Sequence, residues 1–145
     1  GSDNMTAQWI EDTGIEDSRI KIVHSDHVLG EASAKNIALK QSRGKIIVFL
    51  DTSAEVTGDI FTPLQKILND DSVGIVGPFG LKTTDLHHFH DGEGEDGDVD
   101  AMQAYCFAFK RNVLRDVGLM RESFRFYRNL DLDTLLILRN HCLNI

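Results

Sequence analysis

Residues Ile46-Ile47-Val48-Phe49-Leu50 form an unbroken apolar run that ends on Asp51. A strand with one wet face alternates polar and apolar side chains, so a run without alternation predicts a strand covered on both faces, as at the centre of a parallel sheet. The helices needed to cover it are legible on either side. Upstream, Gly30 breaks the chain, and Glu31 to Gln41 places Ala34, Ile37, Ala38 and Gln41 on one small, mostly apolar helical face. Ser42-Arg43-Gly44 then predicts a helix end in left-handed geometry. Downstream, Thr57-Gly58-Asp59 predicts a helix start, with Pro63 within about the first turn. Ile60, Leu64, Ile67 and Leu68 keep helical spacing until Asn69-Asp70-Asp71 stops the helix.

Two more strands flank this unit. Arg19-Ile20-Lys21-Ile22-Val23 alternates charged and β-branched residues, and Val73-Gly74-Ile75-Val76 is closed by Gly77-Pro78. Strand, helix, strand, helix and strand in this order predict an α/β domain with a mainly parallel central sheet, helices on both faces and right-handed crossovers. Residues 99–109 form a longer apolar segment with aromatic residues, and residues 130–138 have the apolar density of a buried helix. Trp9, Tyr105 and Phe107 read as packing or covering aromatics.

One domain of this kind accounts for residues 1–145, with Gly1-Ser2 read as a cloning remnant outside the fold. With 41% hydrophobic and 26% charged residues the chain is too apolar for a disordered polar tract, and it has no apolar run of the ~18 residues needed to span a membrane. The net charge of -8 argues against nucleic acid as a partner. It leaves an anionic sugar nucleotide open, because a metal or a local basic patch reverses the field at one site. Cys106 and Cys142 are too few for a disulfide framework and no secretory signal is visible, so a reducing, cytoplasmic setting is expected. Asp91 to Asp100 carries six acids and three glycines, and residues 85–98 are therefore expected to form a mobile acidic loop. Within it His87, His88 and His90, flanked by Asp85 and Asp91, look like a metal cluster. Structural metal sites hold their ligands on rigid elements with supporting partners, so we read these histidines as a solvated loop.

Three segments, taken together and in order, resemble the nucleotide-sugar domain of inverting family 2 glycosyltransferases, over residues 19–140. They are Gly30 to Leu39 with Ser42-Arg43-Gly44, the strand Ile46 to Asp51, and Phe124-Arg-Phe-Tyr-Arg-Asn-Leu-Asp131-Leu-Asp133 followed by Arg139. The resemblance implies a Rossmann-like nucleotide-diphospho-sugar transferase fold. It implies a nucleoside diphosphate sugar as donor, and a glycan or other hydroxyl as acceptor. In the family the strand-end Asp opens an Asp-X-Asp motif holding manganese or magnesium against the diphosphate, which makes Asp51 the implied metal and donor ligand. Here Ser53 stands in the third position and supplies no charge, so metal binding is expected to be weakened, with Glu55 as a substitute if the turn brings it inward. Lys35 and Asn36 are implied to lie near the donor.

Inverting transfer needs a base for the acceptor hydroxyl, and Asp131 and Asp133 are the implied candidates. Two residues apart on a helix they point about 200° from each other, so they do not serve the same cleft. Matching Leu-Asp-Leu-Asp to the family pattern favours Asp131, counting back from Arg139 favours Asp133, and we prefer Asp131. Asp3 to Thr6 resembles the end of the family's second strand. On that reading the first strand is missing, the sheet has an exposed edge open to self-association, and the chain by itself is inactive. The competing functions are a non-catalytic glycosyltransferase-like scaffold or binding domain, and a phosphate-binding or metal-responsive domain built on His87–His90.

Overall fold

The computed structural model describes residues 3–24, 30–85, 87–91, 97–103 and 105–123. Helix α1, Asn4–Glu16, opens where Asp3 accepts a 2.8 Å hydrogen bond from the Thr6 backbone N–H. Residues 4–6 are therefore the first turn of a capped helix and not a strand end, because Asp at this position satisfies an orphan N–H. No residue of α1 is buried, and Trp9, expected to pack, is 68% exposed. Residues 19–23 form no strand among the described residues. Arg19 instead folds back on Asp17 through a 2.6 Å ion pair, and Ile20 and Val23 stay exposed.

Helix α2 spans Glu31–Gln41, the predicted range, and Gly30 before it holds φ 83°, a conformation open to glycine at little cost. Its buried face is not the predicted one. Ala32, Asn36 and Leu39 point inward while Ala34, Ala38 and Gln41 face out, because a buried polar anchor at Asn36 sets the rotation of the helix. The helix stops at an extended Ser42 with no left-handed residue at Gly44. Arg111 takes over the capping, donating to the carbonyls of Leu39 and Gly44 and to Ser42 Oγ.

Strand β1 is Ile46–Leu50, helix α3 is Phe61–Leu68, β2 is Ile75–Val76, β3 is Gly80–Lys82, β4 is His90–Asp91, β5 is Ala101–Met102, β6 is Cys106–Lys110 and helix α4 is Val113–Val117. Asp59 opens α3 by accepting from the N–H groups of Phe61 and Thr62, and Leu64 and Leu68 are its buried face while Ile67 is exposed. The first sheet has the order β1-β6-β2, and both outer strands pair antiparallel with β6. Ile46 to Leu50 is thus an edge of this sheet and Leu50 is 44% exposed; the strand covered on both faces is β6, four of whose five residues are buried. Adjacent parallel pairing is absent among the described strands, since the opposite-running β6 lies between β1 and β2. The second sheet, β4-β3-β5, is also antiparallel.

Period two along β1 and β6 divides the core into two layers. Ile47, Phe107 and Phe109, with Phe49 beside them, pack with Ala32 and Leu39 of α2 and Val113 of α4. Ala108 on the opposite face meets Leu64 and Leu68 of α3, its small side chain permitting close approach. Phe49 lies 5.1 Å from Phe107 and 6.0 Å from Phe109 between ring centroids, each such pair adding about 0.5–1.5 kcal/mol beyond burial. Helices therefore cover both faces of the first sheet, as expected, around a strand that the apolar run did not identify.

Candidate functional site

The ladder between β1 and β6 continues one step past Leu50, where the Asp51 N–H donates to the Tyr105 carbonyl over 2.8 Å. That bond fixes Asp51 at the carboxyl end of β1, the edge at which open α/β sheets collect ligands. The chain then turns tightly: Asp51 Oδ1 accepts from the Ser53 N–H at 2.8 Å, and the Asp51 carbonyl accepts from the Ala54 N–H at 3.1 Å. The residue in the third motif position thus gives Asp51 a backbone donor and offers no carboxylate of its own.

Lys35 comes to the same strand from α2. Its ammonium pairs with Glu31 one helical turn earlier and lies 5.5 Å from the Phe49 ring centroid, two residues before Asp51. A cation over an aromatic face in partly buried surroundings is held in place by the ring as well as by its carboxylate. Glu31, which the sequence reading passed over, has Oε2 buried with no hydrogen-bond partner among the described residues. A Glu four residues ahead of a Lys on a helix was the available signal.

Asn36 is 1% exposed and ties α2 to the segment after α4. Its Nδ2 donates to the Met120 carbonyl at 2.9 Å, and its Oδ1 accepts from the Met120 N–H at 3.0 Å. Nδ2 also donates to Glu122 Oε1 at 3.1 Å, and this bond, with one from Ser33, holds the Glu122 carboxyl below the ordinary carboxylate range. The structure therefore brings Lys35 and Asp51 to one end of β1, whereas the Asn36 amide is spent on Met120 and Glu122. Asp131 and Asp133 lie outside the described residues, as do Arg139 and the apolar segment 130–138.

A divalent cation needs several hard ligands converging on one point. Among the described residues no group of three His, Cys, Asp or Glu is so placed, and Glu55, the proposed substitute, is exposed. The described side chains do not by themselves fit a cation held at Asp51. The histidine loop uses its acid locally: the His88 ring at 2.6 Å, then the N–H groups of His88 and His87, bring the Asp85 carboxyl down to about 2. His87, His88 and His90 are exposed, and of the acidic stretch beyond them residues 92–96 lie outside the described residues. Burial pushes the Cys106 thiol up, so this buried cysteine is no ready nucleophile. No helix among the described residues is long and apolar enough to cross a membrane.

Residues 1–129 match the family model described as glycosyl transferase family 2. No curated protein matches the chain.

Proposed function

The chain belongs to glycosyl transferase family 2, and on that premise we propose that it contributes the donor-side half of an inverting transfer from a nucleoside diphosphate sugar to an acceptor hydroxyl. The observation that carries the reading is the fixed position of Asp51, held by Tyr105 and Ser53 at the carboxyl end of β1, with Lys35 anchored over Phe49 on the same strand. Lys35 supplies positive charge for a diphosphate and Asp51 orients the donor's polar groups at the sheet edge. Asp131 acts as general base, accepting the proton of the acceptor hydroxyl as its oxygen attacks the anomeric carbon opposite the diphosphate; Asp133 is the alternative. Asn36 serves the site from behind, fixing the helix that carries Lys35. The complete sheet is mainly parallel and Rossmann-like in this proposal, supported by β1 and β2 running in the same direction on either side of β6. The outer edge of β1 is the proposed surface for self-association, since no described strand pairs with it.

Calorimetric titration with uridine, guanosine, adenosine and thymidine diphosphates, with and without manganese, tests the donor half. Binding of one of them, weakened at least tenfold by Asp51→Asn or Lys35→Met, is the expected result. Absence of binding for all four sinks the donor site, and the scaffold reading, which the Ser53 N–H in the Asp51 carboxylate favours, takes its place. In any form of the protein that catalyses transfer, Asp131→Asn should abolish it with donor binding nearly intact. Damage from Asp133→Asn alone would move the base to that residue.

A further inference from the structure

At the end of the first sheet opposite Asp51, where β1 begins and β6 ends, a cleft of about 740 Å³ lies between the carboxyl end of α3 and α4. Five residues of β1 at ~3.3 Å each separate the two ends by roughly 17 Å, so this is not the donor site. Arg43, Lys45, Lys110, Arg111 and Arg115 line the cleft and, among the described residues, no acidic one does, in a chain whose net charge is -8. Its floor is apolar, built from Ile46, Leu68 and Leu114.

Two of these cations are committed to the fold. Arg111 caps α2 through Leu39, Gly44 and Ser42, and Lys110 donates to the Asp70 carbonyl at 3.0 Å and to Asp71 at 2.8 Å. They neutralise the carbonyl-rich ends of α2 and α3, which would otherwise repel an anion. The side chains of Arg43, Lys45 and Arg115 have no hydrogen-bond or ion-pair partner among the described residues, and all three residues are exposed. Three unpaired cations converging on one concavity repel each other, and that repulsion is relieved when a multiply charged anion enters. The volume falls in the ~300–1,000 Å³ range of small-molecule clefts, and the guanidinium pair suits the paired oxygens of a phosphate.

We propose that this cleft is a second anion site that binds a phosphate-bearing ligand, with phosphate oxygens on Arg43, Lys45 and Arg115 and the rest of the ligand lying on Ile46, Leu68 and Leu114. The site is independent of Asp51 and does not require the donor reading to hold.

The test is calorimetric titration of the chain with inorganic pyrophosphate and with phenyl phosphate, beside sedimentation with phosphatidylglycerol vesicles. In the triple variant Arg43→Ser, Lys45→Ser, Arg115→Ser, binding of both soluble probes should weaken at least tenfold. The control Lys40→Ser, Lys66→Ser removes exposed charge elsewhere and should stay within twofold of the parent. Arg43→Lys with Arg115→Lys keeps the charge but loses the paired donors, and should weaken binding severalfold. Thermal melting checks that each variant folds. Vesicle binding lost in the triple variant, together with soluble binding, assigns the phosphate to a lipid headgroup; soluble binding alone assigns it to a free molecule. The proposal is overturned if neither soluble probe binds, if the triple variant binds them as the parent does, or if vesicles bind and soluble phosphates do not.

Discussion

Replacing Asn36 by Leu keeps the size of the side chain and removes both bonds to Met120. The Met120 N–H and carbonyl are then left without their partner at a residue that is only 9% exposed. An orphaned buried backbone group costs about 1–3 kcal/mol, so the pair sets an expected loss of about 2–6 kcal/mol. Against a total of about 5–15 kcal/mol for a domain, that is a large fraction. At about 2–4 °C per kcal/mol it lowers the melting temperature by roughly 4–24 °C. Urea denaturation followed by circular dichroism measures it, and the midpoint should fall with the slope unchanged. Asn36→Asp separates the two bonds. An aspartate still accepts from the Met120 N–H, but sets an oxygen where Nδ2 faced the Met120 carbonyl and Glu122. Burial and the facing oxygens raise the folded-state pKa of this carboxyl above its ordinary value near ~3.9. Its contribution is therefore fully present below about pH 4 and is lost as pH rises through the folded-state pKa. Asn36→Asp should accordingly recover part of its stability, relative to the parent, on moving from pH 7 to pH 4. A midpoint for Asn36→Leu within about 0.5 kcal/mol of the parent would refute the clamp.

Gly77→Ala places a methyl group 2.8 Å from the Cys106 carbonyl oxygen and 2.9 Å from Met102 Sδ, so urea denaturation should show a loss of about 1–3 kcal/mol; an unchanged midpoint would show that the β5–β6 segment yields freely. Asp85 should titrate by nuclear magnetic resonance with a midpoint of about 2 in the parent protein and return toward 3.8 in His88→Ala. Because its folded-state pKa is depressed, the turn it holds is stabilised above the ordinary carboxylate range and released as pH falls toward 2; an ordinary midpoint in the parent would remove the His88 contact. Ser53→Asp should tighten manganese binding by roughly tenfold or more, the scale of effect found when groups around a bound metal are altered. No gain in a calorimetric titration would remove Asp51 as a candidate ligand.

Local physics written into short stretches was readable from the sequence. Gly30 and the residues after it gave the bounds of α2, Asp59 and Pro63 the start of α3, and the Ile46–Leu50 run a strand ending in an acid, because caps, breakers and apolar density act within a few residues. The family was legible too, because the resemblance was read from short local segments, and residues 1–129 match its model. What tertiary structure alone decided depends on partners far away in sequence. Which face of α2 turns inward was settled by Asn36 bonding to Met120, 84 residues on, against the apolar face that periodicity favoured. The centre of the sheet fell to Cys106–Lys110, inserted between strands 46–50 and 75–76, because an apolar run marks a strand but shows neither which strand it pairs with nor whether it lies at an edge. Residues 19–23 had the composition of a strand and, lacking a described partner, form none. The basic cleft lay beyond sequence reading altogether: Arg43, Lys45 and Arg115 come from two separate stretches, and only the pairing of β1 with β6 brings their charges together.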